Sequence, residues 1–254
     1  GGTSMGSARR ILDSADIMAG RAGLDRISVV VSAVAGVSNK LQAGIDGCIS
    51  GAVAAPYVSE LRSIHSDICA ELKSALPKFN AEAVMAKINV CLDELERLLS
   101  GLATFGECPT SVHCRIMGMG ELMCAPIVES VLLAKDQSVL LLDSRKFIYT
   151  TGDQKEGDPD YARCSEALAG YRDGSSALAQ ILLFPGFICS WIGGTGAAPV
   201  MGLLGRNGSD FSAAIIGAGL GASRVEFWTD VDGIYTADPR VVKDAILVKD
   251  MSYE

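Results

Sequence analysis

The chain switches hydrophobic period again and again along its length. Runs such as "RISVVVSA", "QSVLLLDS", "AQILLFPGFI", "PVMGLL" and "SRVEFWTDV" are short, apolar and β-branched, and the stretches between them place apolar residues every three or four positions. This alternation constrains the fold more than any other feature. Strands that are apolar along their whole length must be covered on both faces, and strands joined through helices run parallel. The expected class is therefore α/β, with an open, mainly parallel sheet whose ligands bind beyond the carboxyl ends of the strands.

The helical stretches can be placed from their spacing. In "SARRILDSADIMAG", Ile11, Leu12, Ala15, Ile17 and Met18 share a face, and Gly20 is expected to end that helix in the left-handed conformation. From about 54 to 100, Leu61, Ile64, Ile68 and Leu72 form one stripe, and Val84, Ile88, Leu92, Leu95 and Leu99 a second. Pro77 and Asn80 interrupt them, which predicts an antiparallel helical hairpin. Further helices are expected over "GELMCAPIVESVLLAK", "SEALAGYRD" and "SDFSAAIIGAGLGA".

Charge and cysteine usage exclude several function classes. A net charge of −8 opposes broad attraction to nucleic acid or to an anionic membrane, so neither is an expected partner. No uninterrupted apolar run approaches the ~18–20 residues of a spanning helix. The 8 cysteines include no C-x-x-C pair and several fall inside apolar helical patterns, as buried thiols in a reducing cytosol would. His65 and His113 are the only histidines and neither has a partner at ligand spacing, so both read as structural and no metal ligand is assigned.

Chemistry is concentrated in the turns. "GRNGSD", from Gly205 to Asp210, follows a strand and opens a helix, where Ser209 or Asp210 is expected to act as N-cap. Arg206 exceeds what a cap needs: beside an acidic residue, its guanidinium fork suits a ligand with an anionic and a cationic end. "GAGLGAS" is not a dinucleotide fingerprint, because its glycines fall late in a helix; they read as close-packing positions with a glycine C-cap. No P-loop motif is present. "GGTS" and "SAVAGVSN" instead offer backbone amides free of bulky side chains, the hydroxyls of Thr3, Ser4, Ser32 and Ser38, and a helix N-terminus behind each. "FWTDVDGIYTADPR" lacks the remaining ligands of a calcium loop, and its Thr, Asp, Tyr and Arg residues suit phosphate, base and ribose contacts.

These segments resemble the aspartate kinases, members of the amino acid kinase family. "GGTSMGS", "VVVSAVAGVSN", "GEL", "LGRNGSDFSAA" and "WTDVDGIYTADPRVV" occur in the family's order over nearly the whole chain. "LGRNGSD" with "MSYE" is most similar to the kinase portion of bifunctional aspartokinase/homoserine dehydrogenases. The resemblance implies a three-layer αβα sandwich and one catalytic domain over residues 1–254. Within it, about 1–170 would form a substrate-side lobe with the hairpin inserted, and about 171–254 a nucleotide-side lobe.

It also implies ATP- and Mg²⁺-dependent phosphorylation of the side-chain carboxylate of L-aspartate, the first step toward lysine, threonine and methionine. By motif, Arg206 would hold the substrate α-carboxylate with help from Ser209, and Glu121 would bind the ammonium group. Ser32 and Ser38 would line the substrate and phosphate side. Asp210 would organise the catalytic groups together with Gly2, while Gly1, Gly2, Thr3 and Ser4 wrap the phosphates. Thr229, Asp230, Tyr235 and Arg240 would contact ATP.

In the family a strand with a "KFGG" lysine would precede Gly1, and small regulatory domains would follow Glu254, so both ends read as cut. A sheet short of a strand exposes unpaired edges, which predicts low solubility or a homodimer. The full-length protein is expected to be cytoplasmic, or plastid in a plant-like source, with fusion to regulatory and homoserine dehydrogenase domains one of the arrangements the resemblance leaves open. Two other readings stand beside this one. The first is a binding module that has lost the catalytic lysine; the second is an amino acid kinase acting on glutamate, carbamate or a nucleoside monophosphate. The pairing of Arg206 with Glu121 favours an amino acid.

Overall fold

The computed structural model describes residues 2–172, 179–194, 196–229, 231–239 and 241–252. Its centre is a three-stranded parallel sheet in the order β1 (Ile27–Val31), β5 (Ile181–Pro185), β2 (Val139–Leu141). All five residues of β5 are buried. Because side chains alternate across a strand, Ile181 and Leu183 enter one hydrophobic cluster, and Leu182 and Phe184 enter the other. The central strand thus defines two cores, one on each face, and the helices sort between them.

The first core is the larger. It is built by α1 (Ala8–Ala22), α2 (Val37–Ile49), α3 (Ala55–Ala75), α4 (Ala81–Phe105) and α6 (Met119–Ala134), with the short α5 (Thr110–Met117) before α6. The helix α6 lies directly on the sheet and α4 packs against it. Thr110–Ala134 is long and apolar enough to cross a membrane by length and composition, and most of it is buried inside the fold. It has the apolar character of a core helix, which a count of uninterrupted runs does not register. The expected hairpin corresponds to α3 and α4, which pack together. Its connection is short, the Asn80 side chain caps α4 at the Ala83 amide, and Arg62 of α3 reaches Asn89 and Asp93 of α4.

The second core lies under α7 (Tyr161–Arg172) and α8 (Gly208–Leu220), which pack against each other. Here the "GAGLG" glycines act as close-packing positions: a Cβ on Gly219 would stand 2.4 Å from Leu168 Cδ1. Gly221, at φ 67°, ends α8 in the left-handed conformation, as expected. The layers make an αβα sandwich.

Several expectations give way at element boundaries. The helix α1 runs through Gly20 to Ala22, and its C-cap Gly23 is right-handed. "AQILLFPGFI" is not one strand but two: β5 stops at Pro185 and β6 (Ile188–Trp191) begins a second sheet after a sharp corner. That sheet has the order β4 (Gly157–Pro159), β3 (Tyr149–Gly152), β6, β7 (Val200–Leu203). Only β3 and β6 run parallel in it, so the parallel character is confined to the central sheet and that one pair.

"SRVEFWTDV" forms no strand among its described residues. Phe227 and Trp228 are exposed, and a β-branched or aromatic run becomes a strand only beside a partner that satisfies its backbone. The cysteines are all free, six of them buried, and burial pushes the Cys114 thiol up to about 11 and the Cys189 thiol to about 12. His65 is buried with Nδ1 2.7 Å from the Leu61 carbonyl oxygen, a helix-internal contact.

The long hairpin helix offers a direct check of this packing. Leu95 is fully buried in the larger core. Leu95→Ala is expected to cost about 2–5 kcal/mol, seen as a lower urea midpoint at unchanged slope.

Candidate active site

Of the expected substrate residues, Ser32, Ser38 and Glu121 lie about the carboxyl end of β1, and Ser209 reaches it through the β5–β6 corner. Ser32 follows its last residue, and Ala33 is a hub. The Ala33 amide donates to Glu121 Oε1 at 3.3 Å. Gly120, beside that glutamate, has no room for a side chain, because a Cβ there would stand 2.8 Å from the Ala33 Cβ. On the other side, a Cβ on Gly2 would lie 3.5 Å from the Ala33 carbonyl oxygen, and one on Gly6 3.1 Å from the Ala35 Cβ. The "GGTSMG" segment, a 3-10 turn over Gly2–Met5, is therefore seated on the β1–α2 loop. Its carbonyl oxygens are anchored by α1: Arg10 donates to Thr3 O at 2.8 Å and Ser14 to Ser4 O at 3.2 Å.

Two helices begin at this end without a side-chain cap. The N-cap of α2 is Gly36 at φ 81° and that of α8 is Asn207 at φ 57°, and neither supplies a side-chain bond to the first turn. Ser209 and Asp210 are thus not the N-cap; they sit inside the first turn, one and two residues past Gly208, because the chain enters α8 through a left-handed Asn. Ser38 occupies the first turn of α2. The helix ends leave amides available to an anion. Arg206 is exposed and makes no hydrogen bond or ion pair among the described residues.

The two sides meet at the β5–β6 corner. The Gly186 amide donates to Val31 O at 2.8 Å, which joins the corner to the end of β1. A Cβ on Gly186 would stand 2.7 Å from the Ser209 Cβ, so the start of α8 rests directly on this glycine. Phe187 has φ 65°, and Ile188 N–H bonds back to Gly186 O at 2.7 Å, which makes the corner a γ-turn with a positive-φ centre. A phenylalanine held there stores about 1–3 kcal/mol of strain and persists only where its surroundings impose it. The sequence signal for the corner is the "PGF" that follows an apolar run; Gly186, Phe187 and Ser212, which bonds to Phe187, escape a motif-based reading.

Glu121 is the most perturbed carboxyl group of this end. It is 4% exposed; Oε1 holds the Ala33 amide, and Oε2 is buried without any partner. Desolvation by burial pushes its pKa up to about 8, although its bonds to backbone amides oppose the rise. A buried carboxyl with one oxygen unclaimed is poised for a cationic group.

Gly2, Thr3 and Ser4 apart, the expected nucleotide residues are placed elsewhere or not described. Gly1, Asp230 and Arg240 lie outside the described residues. Thr229 is exposed, and Tyr235 is half-buried and pairs with Leu247 in an isolated bridge. This segment is tied back by Arg21, 3.2 Å from Glu226, and by Val225 packed on Gly217. Two cavities, of about 690 and 380 Å³, flank the second sheet; neither is lined by Ser32, Ser38, Glu121, Arg206, Ser209 or Asp210. Among the described residues no group of three His, Cys, Asp or Glu could hold a metal.

The burial of Glu121 should be readable in stability. Its folded pKa of about 8 lies above the ordinary carboxyl value, so its contribution is complete below that ordinary value and is lost as pH rises through about 8. Between pH 5 and pH 8 the wild type is expected to lose stability relative to Glu121→Gln, whose side chain does not titrate. Urea unfolding of both at the two pH values checks this.

Comparison with known proteins bears on the fold and the family. The family model described as "Amino acid kinase family" matches residues 1–254. A bifunctional aspartokinase/homoserine dehydrogenase of Buchnera aphidicola is 30% identical over 254 residues, 100% of this chain and 30% of that protein. Lysine-sensitive aspartokinase 3 of Escherichia coli is 31% identical over 258 residues, 53% of its length. The chain therefore spans about half or less of these curated relatives. Among solved structures, E. coli aspartokinase III in complex with aspartate and ADP (R-state) superposes with a TM-score of 0.83 at 29% identity, covering 97% of this chain and 52% of that one. The same enzyme with lysine and aspartate (T-state) gives 0.80 at 30% identity. On its sequence, its sandwich of helices and parallel strands and the layout of its turns, this chain belongs to the amino acid kinase family.

Proposed function

We propose that this chain carries the catalytic site of an ATP-dependent kinase that phosphorylates the side-chain carboxylate of L-aspartate to 4-phospho-L-aspartate. The observation that carries the reading is Glu121, a carboxyl group 4% exposed whose second oxygen has no partner, next to the β1 end on which the other site elements converge. Such a group is costly to fold around unless a ligand cation completes it. The α-ammonium of an amino acid is that cation.

The other charges fit the rest of an aspartate molecule. Arg206 presents a free fork for the α-carboxylate, and Ser209 stands beside it on the first turn of α8. The Gly2–Met5 turn and the uncapped start of α2 offer amides for the phosphates. Phosphoryl transfer needs two anions brought into line more than it needs covalent help, and the seating of these parts on one strand end serves alignment. Ser32 and Ser38 line the space between the two anions, and Asp210 fixes the donors around it. The donor set fits a Mg²⁺ brought in by the nucleotide rather than one held by a protein cage, and when bound that ion neutralises phosphate charge. The segment carrying Thr229, Asp230, Tyr235 and Arg240 supplies the remaining nucleotide contacts.

The same reading extends to the whole protein. Relatives that carry a homoserine dehydrogenase activity in the same chain, including the chloroplastic enzymes of maize, support a fused architecture and a cytoplasmic or plastid setting.

The test is turnover with Mg-ATP and L-aspartate, with the acyl phosphate trapped by hydroxylamine. ADP release that does not depend on aspartate would overturn the proposal. Within it, Arg206→Lys keeps the charge but loses the bidentate fork, and is expected to raise KM for aspartate by about 10–100-fold. Because the ammonium group needs the ionised form of Glu121, aspartate affinity should rise from pH 6 to about 8 and then level. In Glu121→Gln it should be weak and flat over the same range.

A further inference from the structure

Ser212 lies a full turn inside α8, is 0% exposed, and makes its side-chain hydrogen bonds to Gly208 and Phe187. Its hydroxyl donates to Gly208 O at 2.9 Å and accepts from the Phe187 amide at 2.9 Å. The Phe187 carbonyl accepts from Leu204 N at 2.9 Å, so the centre of the γ-turn is held from both ends by the β7–α8 segment. The Phe187 ring also fills the space a side chain on Gly208 would need, at 2.5 Å from the Cβ position.

We infer that Ser212 is a positioning residue for the amino-acid substrate, because its bonds to Phe187 and Gly208 lock the β5–β6 corner to the first turn of α8. The inference rests on the kinase reading of the same site. A hydroxyl is the small group that donates to a helix carbonyl and accepts from a turn amide at once, and Ser212 is closed to bulk solvent. Without the hydroxyl the Phe187 amide is a buried orphan in a strained conformation. Its relief is rotation of the Gly186–Phe187 peptide. Gly186 has no clearance against Ser209, and its own amide is bonded to Val31, so that rotation changes the spacing between the β1 end and the start of α8. That spacing separates Ser32 and Glu121 from Arg206 and Ser209, the groups that hold opposite ends of the amino acid. The Gly2–Met5 turn is seated on the β1–α2 loop, with a Cβ on Gly2 3.5 Å from Ala33 O, so the effect on the phosphate side is expected to be smaller than on the amino-acid side.

The discriminating measurement is calorimetric titration of L-aspartate, and separately of Mg-ADP, into the purified wild type, Ser212→Ala and Ser212→Thr. The inference expects the aspartate Kd of Ser212→Ala to rise by about tenfold or more, with the Mg-ADP Kd within about twofold of wild type. Ser212→Thr keeps the hydroxyl and should return aspartate affinity to within about threefold. A merely structural serine would lower the binding stoichiometry for both ligands at unchanged Kd, and that result overturns the inference. So does equal aspartate binding by Ser212→Ala and wild type. A wild type that binds neither ligand instead brings down the kinase reading itself. If Ser212→Ala does not melt cooperatively, Gly186→Ala tests the same joint by placing a Cβ against Ser209. It should show the same selective loss for aspartate, and wild-type affinity there would sink the inference.

Discussion

The burial of β5 on both faces is the constraint from which the rest of this molecule follows. Five residues closed to water on each side require two separate cores, and the alternation of Ile181 and Leu183 with Leu182 and Phe184 assigns each core its helices. A strand so enclosed has only its ends free for chemistry. The carboxyl end is taken by a corner of three residues, Pro185, Gly186 and Phe187, and the neighbouring end of β1 is bonded to it. The polar turns that carry the site are gathered there because the fold leaves them nowhere else to meet.

Much of this was legible in the chain, for reasons that can be named. The stripes of α3 and α4 have the helical period over many turns, and β1 and β5 are apolar runs bounded by polar turns. The strands β3 and β4 were not legible: "YTTG" and "GDP" are short, carry Gly and Asp, and gain strand character only from their neighbours, β3 from β6 and β4 from β3. "SRVEFWTDV" failed in the opposite sense, with strong propensity and no strand pairing among its described residues. Propensity describes a residue, whereas a strand is a relation between two segments.

The site divides in the same way. Arg206, Ser209 and Asp210 are visible in the sequence as charge and hydroxyl on a turn, although the residue that begins the helix is Asn207 and not one of them. Glu121 is harder to see, since it sits in "MGELMCAPIVESVLL", and nothing in its spacing separates a ligand from a core residue; only the resemblance singled it out. Its neighbours were the overlooked clue, because Gly118 and Gly120 have no clearance for a side chain. The "PGF" run marks a corner but not what holds it, and Ser212 left no signal, since its importance lies in a bond to Phe187, 25 positions away.

The unclaimed oxygen of Glu121 has a thermodynamic corollary. With burial holding its pKa near 8, the carboxyl group is mostly protonated at neutral pH before any ligand arrives, and a cation settling against it favours the ionised form. On the proposed reading, an amino-acid ammonium group settling against Oε2 expels a proton into the solvent. The apparent enthalpy of aspartate binding would then vary with the ionisation enthalpy of the buffer.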